Sequence, residues 1–393
     1  MSETSESSYH LDEERLSRLQ LAQSDNIGPS TYHQILEIYG SAAEAITALP
    51  ELASTVSKGR RINLYSRDRA LQDVERTNQC GGQILCYGDL AYPQLLAQTV
   101  NPPPVLFVAG KITLLQQATC AIVGSRNSSA NGKRFAREVA NGLGQSGWKV
   151  ASGLARGIDT AAHEAALAHG TIAVIATGLD IIYPPENSVL YQKIISEGCV
   201  ITEMPPGTQP RAESFPRRNR IIAGLAAGVV VIEAALRSGS LITARLASEL
   251  GRDVFSVPGS PFDPRSAGTN RLIQDGAMLI TSHRDVVDIL DRGYLYSDIA
   301  SPGNPEQQSS VSQTPQQTTT KDQKIPVKFS DVRVVDDSHR LAVLELLGPD
   351  PVEINVVVRE SGLPLRVVQT VMMELELSGH LERHSGQRVS LNV

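Results

Sequence analysis

Glycine, serine, threonine and arginine recur in five short segments, each following an apolar run rich in branched residues. Glycine lets a backbone approach a ligand closely, free N–H groups at a helix start attract anions, and arginine can bind phosphate with two hydrogen bonds. One such segment is most simply a turn or a helix cap. Five of them at one sheet edge favour a phosphate-binding rim. The segments are Gly124-Ser125-Arg126, residues 152–159 (with Gly153 and Arg156), residues 177–180, Arg237-Ser238-Gly239-Ser240 and Pro258-Gly259-Ser260.

A locally basic segment, residues 211–220, carries four arginines against the single acid Glu213, and it includes Phe215. Arginines around an exposed aromatic ring can hold a phosphate backbone and stack a base. The alternative is a solvated, salt-bridged loop whose phenylalanine belongs to the core. Beside a phosphate-binding rim, nucleic acid is the better interpretation. We expect this segment to precede a helix over residues 221–227.

Motifs of the common nucleotide-dependent enzymes are absent from the sequence. No G-x-G-x-x-G series follows Gly124, and no Walker A, HExxH, GxSxG or EF-hand pattern occurs. Asp159 and His163 are spaced to share one helix face and to act as an acid–base pair, but a structural role for both is favoured. Glu203 and Glu233 follow strands, where each can bind a ribose hydroxyl, act as a base or pair with an arginine.

The apolar runs that precede these segments predict the element that positions them. They are short, rich in branched residues and not alternating, which is typical of strands buried on both faces. Amphipathic helical stretches separate them, so we predict an α/β fold with a doubly wound, mainly parallel sheet. The carboxyl ends of its strands are where ligands bind in such sheets. The runs lie at residues 121–123, 149–151, 172–175, 200–201, 229–232, 254–257 and 278–280.

Pattern and composition divide the chain into four segments. Residues 11–75 show helical spacing alone, and the turn at residues 26–30 is either a simple inter-helix turn or a phosphate-binding hairpin of the helix-hairpin-helix type. Residues 80–292 hold the sheet. Residues 301–330 are rich in Gln, Ser, Thr and Pro and predict a disordered linker. Residues 336–393 predict three helices and a hairpin at Ser385-Gly386, a winged-helix domain whose third helix carries Glu374 and Glu376, so that protein contact is as well supported as DNA contact.

Overall composition restricts the class of protein. Lys and Arg number 36 against 42 for Asp and Glu, a net charge of −6, which excludes a globally basic nucleic-acid coat but not a local basic patch. No apolar run is long enough for a transmembrane helix, and the polar, acidic N-terminus does not resemble a signal peptide. The four cysteines lack metal-site spacing. We therefore expect a cytoplasmic protein with no membrane contact.

Several blocks of the sequence resemble the signature blocks of the DprA/Smf family of DNA-processing proteins. The resemblance covers nearly the whole chain apart from the linker, with two weaker blocks, CYGDLAYPQLL and NPPPVLFVAG, before the core. The main blocks are AIVGSRNSSANGKRFA, ASGLARGIDTAAHEAAL, FPRRNRIIAGL, EAALRSGSLITARLASELGRDVFSVPG and GTNRLIQDGA.

The resemblance implies a cytoplasmic, non-enzymatic protein of natural transformation that needs no cofactor or metal. Such a protein binds and protects incoming single-stranded DNA and loads the RecA recombinase onto it. The resemblance also implies a homodimer built through a Rossmann-like core, a SAM-like N-terminal domain and a winged-helix tail. By motif, the DNA- and phosphate-binding positions are Gly124, Ser125, Arg126, Gly153, Arg156, Phe215, Arg217, Arg218, Asn219, Arg220, Ser238, Gly239 and Ser240.

An enzyme acting on a nucleotide, such as a phosphoribohydrolase of the LOG type, is the alternative. Those enzymes share a related sheet and a PGGxGTxxE motif. Here Pro258-Gly259 is separated from Gly268-Thr269, and the paired catalytic glutamate is missing. A dinucleotide-dependent oxidoreductase is a third interpretation, and it lacks the glycine-rich fingerprint.

Overall fold

The computed structural model describes residues 12–56, 63–300, 337–384 and 386–391. The chain divides into two compact units, one of Met1–Pro50 with Asn63–Tyr294 and the other of Glu51–Ile62 with Leu295–Val393. The predicted linker at residues 301–330 lies outside the described residues, as does Ser385 of the predicted hairpin turn. Within the described ranges, none of the helices combines the length and the apolar character needed to span a lipid bilayer.

The N-terminal region is helical, as predicted. Asp12 caps the first helix by accepting a hydrogen bond from the Arg15 amide, and Pro29 occupies the first position of the second helix, where no N–H is required. Arg15 also forms an ion pair with Asp89, which lies between the first two strands of the core, and so holds the first helix on the sheet domain. The helices are α1 (Glu13–Gln23), α2 (Pro29–Tyr39), α3 (Ala42–Val56) and α4 (Arg67–Gln79).

The core is a nine-stranded sheet with the strand order β1-β2-β6-β5-β4-β3-β7-β8-β9. The pairings from β6 through to β9 are parallel, whereas β2 pairs antiparallel with both β1 and β6. The predicted doubly wound, mainly parallel sheet is therefore confirmed, with two additional strands at one edge that form the antiparallel pairings and that the sequence patterns did not indicate. The strands are β1 (Gly82–Cys86), β2 (Val105–Gly110), β3 (Thr119–Gly124), β4 (Lys149–Ser152), β5 (Thr171–Val174), β6 (Cys199–Thr202), β7 (Gly228–Ile232), β8 (Asp253–Ser256) and β9 (Met278–Leu279).

Helices cover both faces of this sheet. Successive side chains of a strand point to opposite faces, so a strand that is apolar throughout presents apolar side chains on both. Ala121 and Val123 of β3 pack in one core with residues of α9 and α10, and Cys120 and Ile122 of the same strand pack in another with residues of α6 and α7. The helices are α5 (Gln94–Ala97), α6 (Ala130–Gln145), α7 (Ile158–Ala166), α8 (Ser188–Glu197), α9 (Ser214–Leu225), α10 (Gly239–Glu249), α11 (Ala267–Gln274) and α12 (His283–Ala300); 3₁₀ helices cover Ile112–Gln116, Leu167–His169 and Pro185–Asn187.

The C-terminal unit has the predicted winged-helix arrangement, with one additional short strand. Its elements are α13 (Asp337–Leu344), β10 (Val352–Glu353), α14 (Ile354–Ser361), α15 (Leu365–Leu377), β11 (Leu381–His384) and β12 (Arg388–Leu391). The expected acidic face of α15 is not exposed as such. Glu374 forms an ion pair with Arg340 and Glu376 forms one with Arg383, each at 2.8 Å. The two carboxylates are thus neutralised within the domain.

His163 of α7 lies in the core of the sheet domain and not in a catalytic arrangement. Its side chain is fully buried, and its Nδ1 lies 2.7 Å from the hydroxyl of Thr171. That hydroxyl donates to the Val150 carbonyl, so the imidazole Nδ1–H is the donor to Thr171. Burial, aided by the positive charge of Arg218, lowers the pKa of His163 to about 3. The imidazole is therefore neutral in the folded protein.

We expect His163 to make the protein sensitive to mild acid. The unfolded chain takes up a proton on this imidazole near its ordinary pKa of about 6.5 and the folded chain does not, so stability is lost as the pH falls below that value. Between pH 6.5 and pH 4.5 the loss is at most about 3 kcal/mol. Urea unfolding of the wild type and of His163→Gln at both pH values measures it. The pH-dependent loss should be smaller in the variant, and an equal loss in the two proteins would contradict the assignment.

Candidate nucleic-acid interface

A cleft of about 880 Å³ opens at the carboxyl ends of β3, β4 and β7. In the sheet, β3 lies between β4 and β7, so the chain leaves β3 in one direction to form β4 and later forms β7 on its other side. The loops that follow β3 and β7 therefore diverge. This is the topological switch point at which doubly wound sheets leave a crevice for a ligand.

Ten of the thirteen positions that the sequence suggests for phosphate binding line this cleft. Gly153 borders a small adjoining pocket, which it shares with Arg126, Arg156 and Arg218. Arg217 and Arg220 line neither the cleft nor this pocket. That the assembled residues bind phosphate stays a prediction. The ten are Gly124, Ser125, Arg126, Arg156, Phe215, Arg218, Asn219, Ser238, Gly239 and Ser240.

Two of the five predicted rim segments do not line the cleft, although their strands run parallel to the others and end at the same edge of the sheet. Their strands, β5 and β8, lie one place farther from the switch point than β4 and β7. Asp180 in the first segment instead accepts a hydrogen bond from the Gly207 amide at 2.6 Å. Gly259 in the second donates to the side chain of Asn270 at 3.1 Å. The first segment thus supports a neighbouring loop, and the second contacts a side chain of α11.

The residue at which α9 begins explains why the arginines of the basic segment lie on different faces of this helix. The basic segment was expected to precede a helix at residue 221, but the helix begins at Ser214 and Pro216 occupies its first turn, where a missing N–H costs no hydrogen bond. Helical spacing then places Phe215, Arg218, Asn219 and Ile222 on the face towards the cleft, and they line it.

Arg217 and Arg220 lie on another face of α9 and share one buried carboxylate. Glu203, whose side chain is only 7% exposed, forms an ion pair with Arg217, with one carboxylate oxygen 3.2 Å from its Nε, and pairs with Arg220 through the other oxygen. Arg220 also donates to the carbonyl of Asn101 at 2.9 Å. The salt-bridged interpretation of the basic segment thus describes these two arginines, and the ligand-facing interpretation describes Arg218.

Phe215 forms an aromatic platform at the wall of the cleft. The guanidinium carbon of Arg126 lies 5.2 Å from the centroid of its ring, and the ring of Tyr183 lies 5.5 Å away at a 49° tilt. Phe215 is half-buried and lines the cleft, so it does not belong to the core. An arginine beside an aromatic ring offers both a partner for phosphate and a surface on which a base can stack.

Arg218 is a buried cation, and Gly153 provides the space for it. Its exposure is 5%, it donates to the carbonyl of Val174, and its Nε has no hydrogen-bond partner among the described residues. A Cβ at position 153 would lie 2.1 Å from Nη1 of Arg218. Burial lowers the pKa of Arg218 to about 10, although Asp159 acts in the opposite direction and Arg126 adds to the decrease. Gly153 therefore acts through Arg218.

Asp159 holds the loop between β4 and α7 in shape. Its carboxylate accepts hydrogen bonds from the amides of Gly153 at 3.1 Å and Ala155 at 3.4 Å. Burial raises the pKa of Asp159, while the charge of Arg218 and these amides lower it. Leu154, between the two amides, has a φ of 55°, a left-handed conformation that residues other than glycine rarely adopt. The carboxylate thus offsets backbone strain at the floor of the site.

The first helix after the switch point is closed to a ligand by the chain itself. Glu233, directly after β7, accepts hydrogen bonds from the amide and the hydroxyl of Ser129, the N-cap residue of α6. A Cβ at Gly132 would lie 2.6 Å from this carboxylate, so the glycine makes room for it. In dinucleotide-binding folds this helix start carries the pyrophosphate. Here a glutamate occupies that position.

The start of α10 is open to the cleft. Ser238 is its N-cap residue, and nothing lies within 4 Å of a Cβ added to Gly239. Asn219 of α9 donates to the carbonyl of Gly239 at 3.2 Å and so fixes the loop next to Arg218. The hydroxyl of Ser238 accepts a hydrogen bond from the Ser240 amide at 3.3 Å, so an anion in the cleft would approach this helix start at Gly239.

Sequence reasoning missed several residues that line the cleft. Arg211 was counted in the basic segment but not proposed as a site residue, and Arg237 was noted only as part of a rim segment. Tyr183 carried no signal, because its position beside Phe215 depends on the loop after β5. With these residues the lining contains five arginines and one acid: Arg126, Arg156, Arg211, Arg218 and Arg237, with Asp159. The cleft is strongly positive in a chain whose net charge is negative.

Comparison with known proteins finds three domain families along the chain. The family model for DNA recombination-mediator protein A matches residues 83–291. A model for a DprA-like N-terminal HHH domain matches residues 12–75, and one for a DprA winged helix domain matches residues 332–387.

Individual relatives carry corresponding names. Protein Smf of Synechocystis is 35% identical over 342 residues, which is 84% of this chain and 84% of that protein. DNA processing protein DprA of Streptococcus pneumoniae is 50% identical over 201 residues, which is 51% of this chain and 71% of that protein. A solved structure of DprA from Streptococcus pneumoniae matches with a TM-score of 0.59 at 40% identity and covers 70% of this chain and 96% of that one.

We expect Gly153→Ala to weaken binding of single-stranded DNA by about tenfold, because the added Cβ displaces the Arg218 guanidinium that completes the cleft. Fluorescence anisotropy with a labelled oligonucleotide measures the affinity, and a thermal melt confirms folding. In an Arg218→Met background the same glycine substitution should have little further effect. Full additivity of the two substitutions would show that Gly153 acts independently of Arg218.

Proposed function

The chain belongs to the DNA recombination-mediator protein A family, and from that premise we propose that its cleft binds single-stranded DNA. The observation that carries the proposal is the convergence of five arginines, an aromatic platform and the open start of α10 at one switch point. Arginines and amides hold phosphates, and the ring of Phe215 receives a base.

The kind of nucleic acid follows from the platform. A base in a duplex is stacked and paired, so it cannot lie on a side-chain ring in a cleft, whereas an unpaired base can. The charged groups of the cleft contact phosphate, which every nucleotide carries, so binding is largely independent of sequence. The ligand that these features fit is a flexible single strand.

We further propose that the protein binds DNA without altering it. The buried imidazole of His163 is neutral and hydrogen-bonded to Thr171, the carboxylate of Asp159 is occupied by two amides, and Glu233 is occupied by Ser129. In the region that corresponds to the LOG motif, the amide of Gly268 donates to the carbonyl of Ala234 at 2.7 Å and is not directed at a ligand. These contacts support binding over nucleotide hydrolysis.

The family supports a wider role that we include in the proposal. A DNA recombination mediator delivers a recombinase to single-stranded DNA, so we propose that this chain protects incoming DNA during natural transformation and loads RecA in the cytoplasm. We propose a homodimer, because two clefts on one strand raise the apparent affinity without any new contact. A single strand held by its backbone keeps bases available for the recombinase.

Arg126→Ala should lower the affinity for single-stranded DNA about tenfold, because it removes a phosphate contact and the cation beside the ring of Phe215. The log–log salt dependence should become less steep by about 0.7 for the one phosphate lost. The matched control is Arg137→Ala, which removes a half-exposed arginine paired with Glu164 on the other face of the sheet domain. Wild-type affinity in a folded Arg126→Ala variant would exclude the cleft as the binding site.

RecA loading should depend on the same cleft. We expect the full chain to accelerate RecA assembly on oligonucleotides, measured as DNA-dependent ATP hydrolysis by RecA, and Arg126→Ala to lose most of the acceleration because less DNA is held for delivery. The Arg137→Ala variant serves as the control. Equal acceleration by all three proteins would contradict a loading role that depends on DNA held in the cleft.

A further inference from the structure

We propose that a single strand leaving the cleft continues through a second groove on the far side of Arg211 and reaches the turn between α1 and α2. The proposal rests on single-strand binding in the cleft and adds a site that the cleft does not contain. It gives Arg217, which the cleft excludes, a defined place on the path of the DNA.

Three hollows follow one another from the cleft, and each shares side chains with the next. Arg211 lines both the cleft and a groove of about 550 Å³ that is bordered by residues 204–217. Met204 and Arg217 line both this groove and a smaller hollow of about 110 Å³. Ile27 of the turn between α1 and α2 and Pro29 at the start of α2 line the last hollow, together with the carboxylate of Glu203 that pairs with Arg217. An arginine thus stands at each of the two junctions.

Arg217 is held so that it can serve a ligand in the groove. Its Nε pairs with Glu203, while 56% of its side chain remains exposed. Glu203 is itself buried and is shared with Arg220, so one carboxylate balances two cations and leaves a net positive charge. The carboxylate orients the guanidinium of Arg217. It does not cancel the positive charge, because the same carboxylate also pairs with Arg220.

Arg211 at the first junction is free to turn towards a phosphate. Its only ion pair among the described residues is with Glu213 at 4.0 Å, and both side chains are more than 70% exposed. Exposed pairs of this kind contribute little free energy, so a phosphate displaces the glutamate at small cost. The remaining lining of the groove is uncharged and includes the polar side chains of Gln209 and Ser214, while the hydroxyl of Thr208 already donates to the carbonyl of Pro205 at 2.6 Å.

The end of the track is the start of α2. Gly28 is its N-cap residue, has no side chain to accept a hydrogen bond, and is followed by Pro29. The first-turn amides of a helix have no intrahelical acceptor and attract an anion. Nothing lies within 4 Å of a Cβ placed at Gly28, so the position is open. The turn that the sequence left undecided therefore lies where a strand emerging past Arg217 would arrive.

The length of the oligonucleotide separates the two sites. The test compares oligothymidylates of about 4 and about 16 nucleotides, which span single-strand site sizes. Arg217→Gln should bind the short one like the wild type and the long one about fivefold more weakly, with a salt dependence less steep by about 0.7 for the long one alone. Glutamine removes the positive charge and keeps a polar side chain at this position, and Arg137→Gln is the control.

The α2 turn has its own pair of variants. Gly28→Asp and Gly28→Asn both supply good N-caps and fit the open space, so neither should lower the thermal stability. Only the aspartate repels a phosphate. We expect Gly28→Asp to weaken binding of the long oligonucleotide about threefold and Gly28→Asn to leave its affinity unchanged.

The outcomes distinguish the groove from the cleft. If Arg217→Gln and Gly28→Asp bind both oligonucleotides like the wild type, the second groove is wrong while binding in the cleft stands. If Arg217→Gln weakens the binding of both oligonucleotides equally, the arginine acts through α9 on the cleft, and the groove is again excluded as a binding site. If Arg126→Ala leaves the short oligonucleotide unaffected, the cleft itself is not the site, and the groove proposal fails with it.

Discussion

The burial of one positive charge determines the shape of the site. A guanidinium removed from water is expensive unless polar groups or charges surround it. Arg218 meets this requirement with the carbonyl of Val174 and the nearby carboxylate of Asp159, and it fits only because residue 153 lacks a side chain. Its Nε has no hydrogen-bond acceptor among the described residues. A phosphate bound in the cleft would offset the desolvation that remains, which is the electrostatic basis of the proposed binding.

The positions of charged side chains also decide where on the sheet an anion can bind. Two helices begin at the switch point, α6 after β3 and α10 after β7, and either could hold a phosphate. Glu233 closes the first with its own carboxylate, and Ser238 and Gly239 leave the second open. The fold therefore resembles a dinucleotide-binding sheet in topology, but the helix start that it leaves open lies on the opposite side of the crevice. That side is next to α9, which carries Arg218 and Phe215.

Periodicity was sufficient to predict the sheet but not the distribution of charge. Buried parallel strands carry continuous apolar runs, which is why β3 through β9 could be located from the sequence. The bounds of α9 could not be, because Pro216 suggests a break unless it is known to lie in the first turn. Misplacing that start by seven residues places Arg217 and Arg220 in the same group as Arg218. Only the helical phase, fixed by the fold, divides them.

Counting the charges along a segment misjudges the charge that it presents to a ligand wherever the ion-pair partners lie far away in the sequence. Glu203 lies before α9 in the sequence and pairs with Arg217 and Arg220, so the four cations of the segment do not all face one ligand site. In the winged-helix unit, counting local charges overestimates the negative charge of α15 instead. Arg340 and Arg383 neutralise Glu374 and Glu376, and the acidity that argued against DNA contact by α15 is internal. Arg366 is exposed near the start of that helix, whereas both glutamates are at least partly buried. The sign of a surface therefore follows from which charges the fold leaves unpaired, and the local composition is a guide only when the pairs are local.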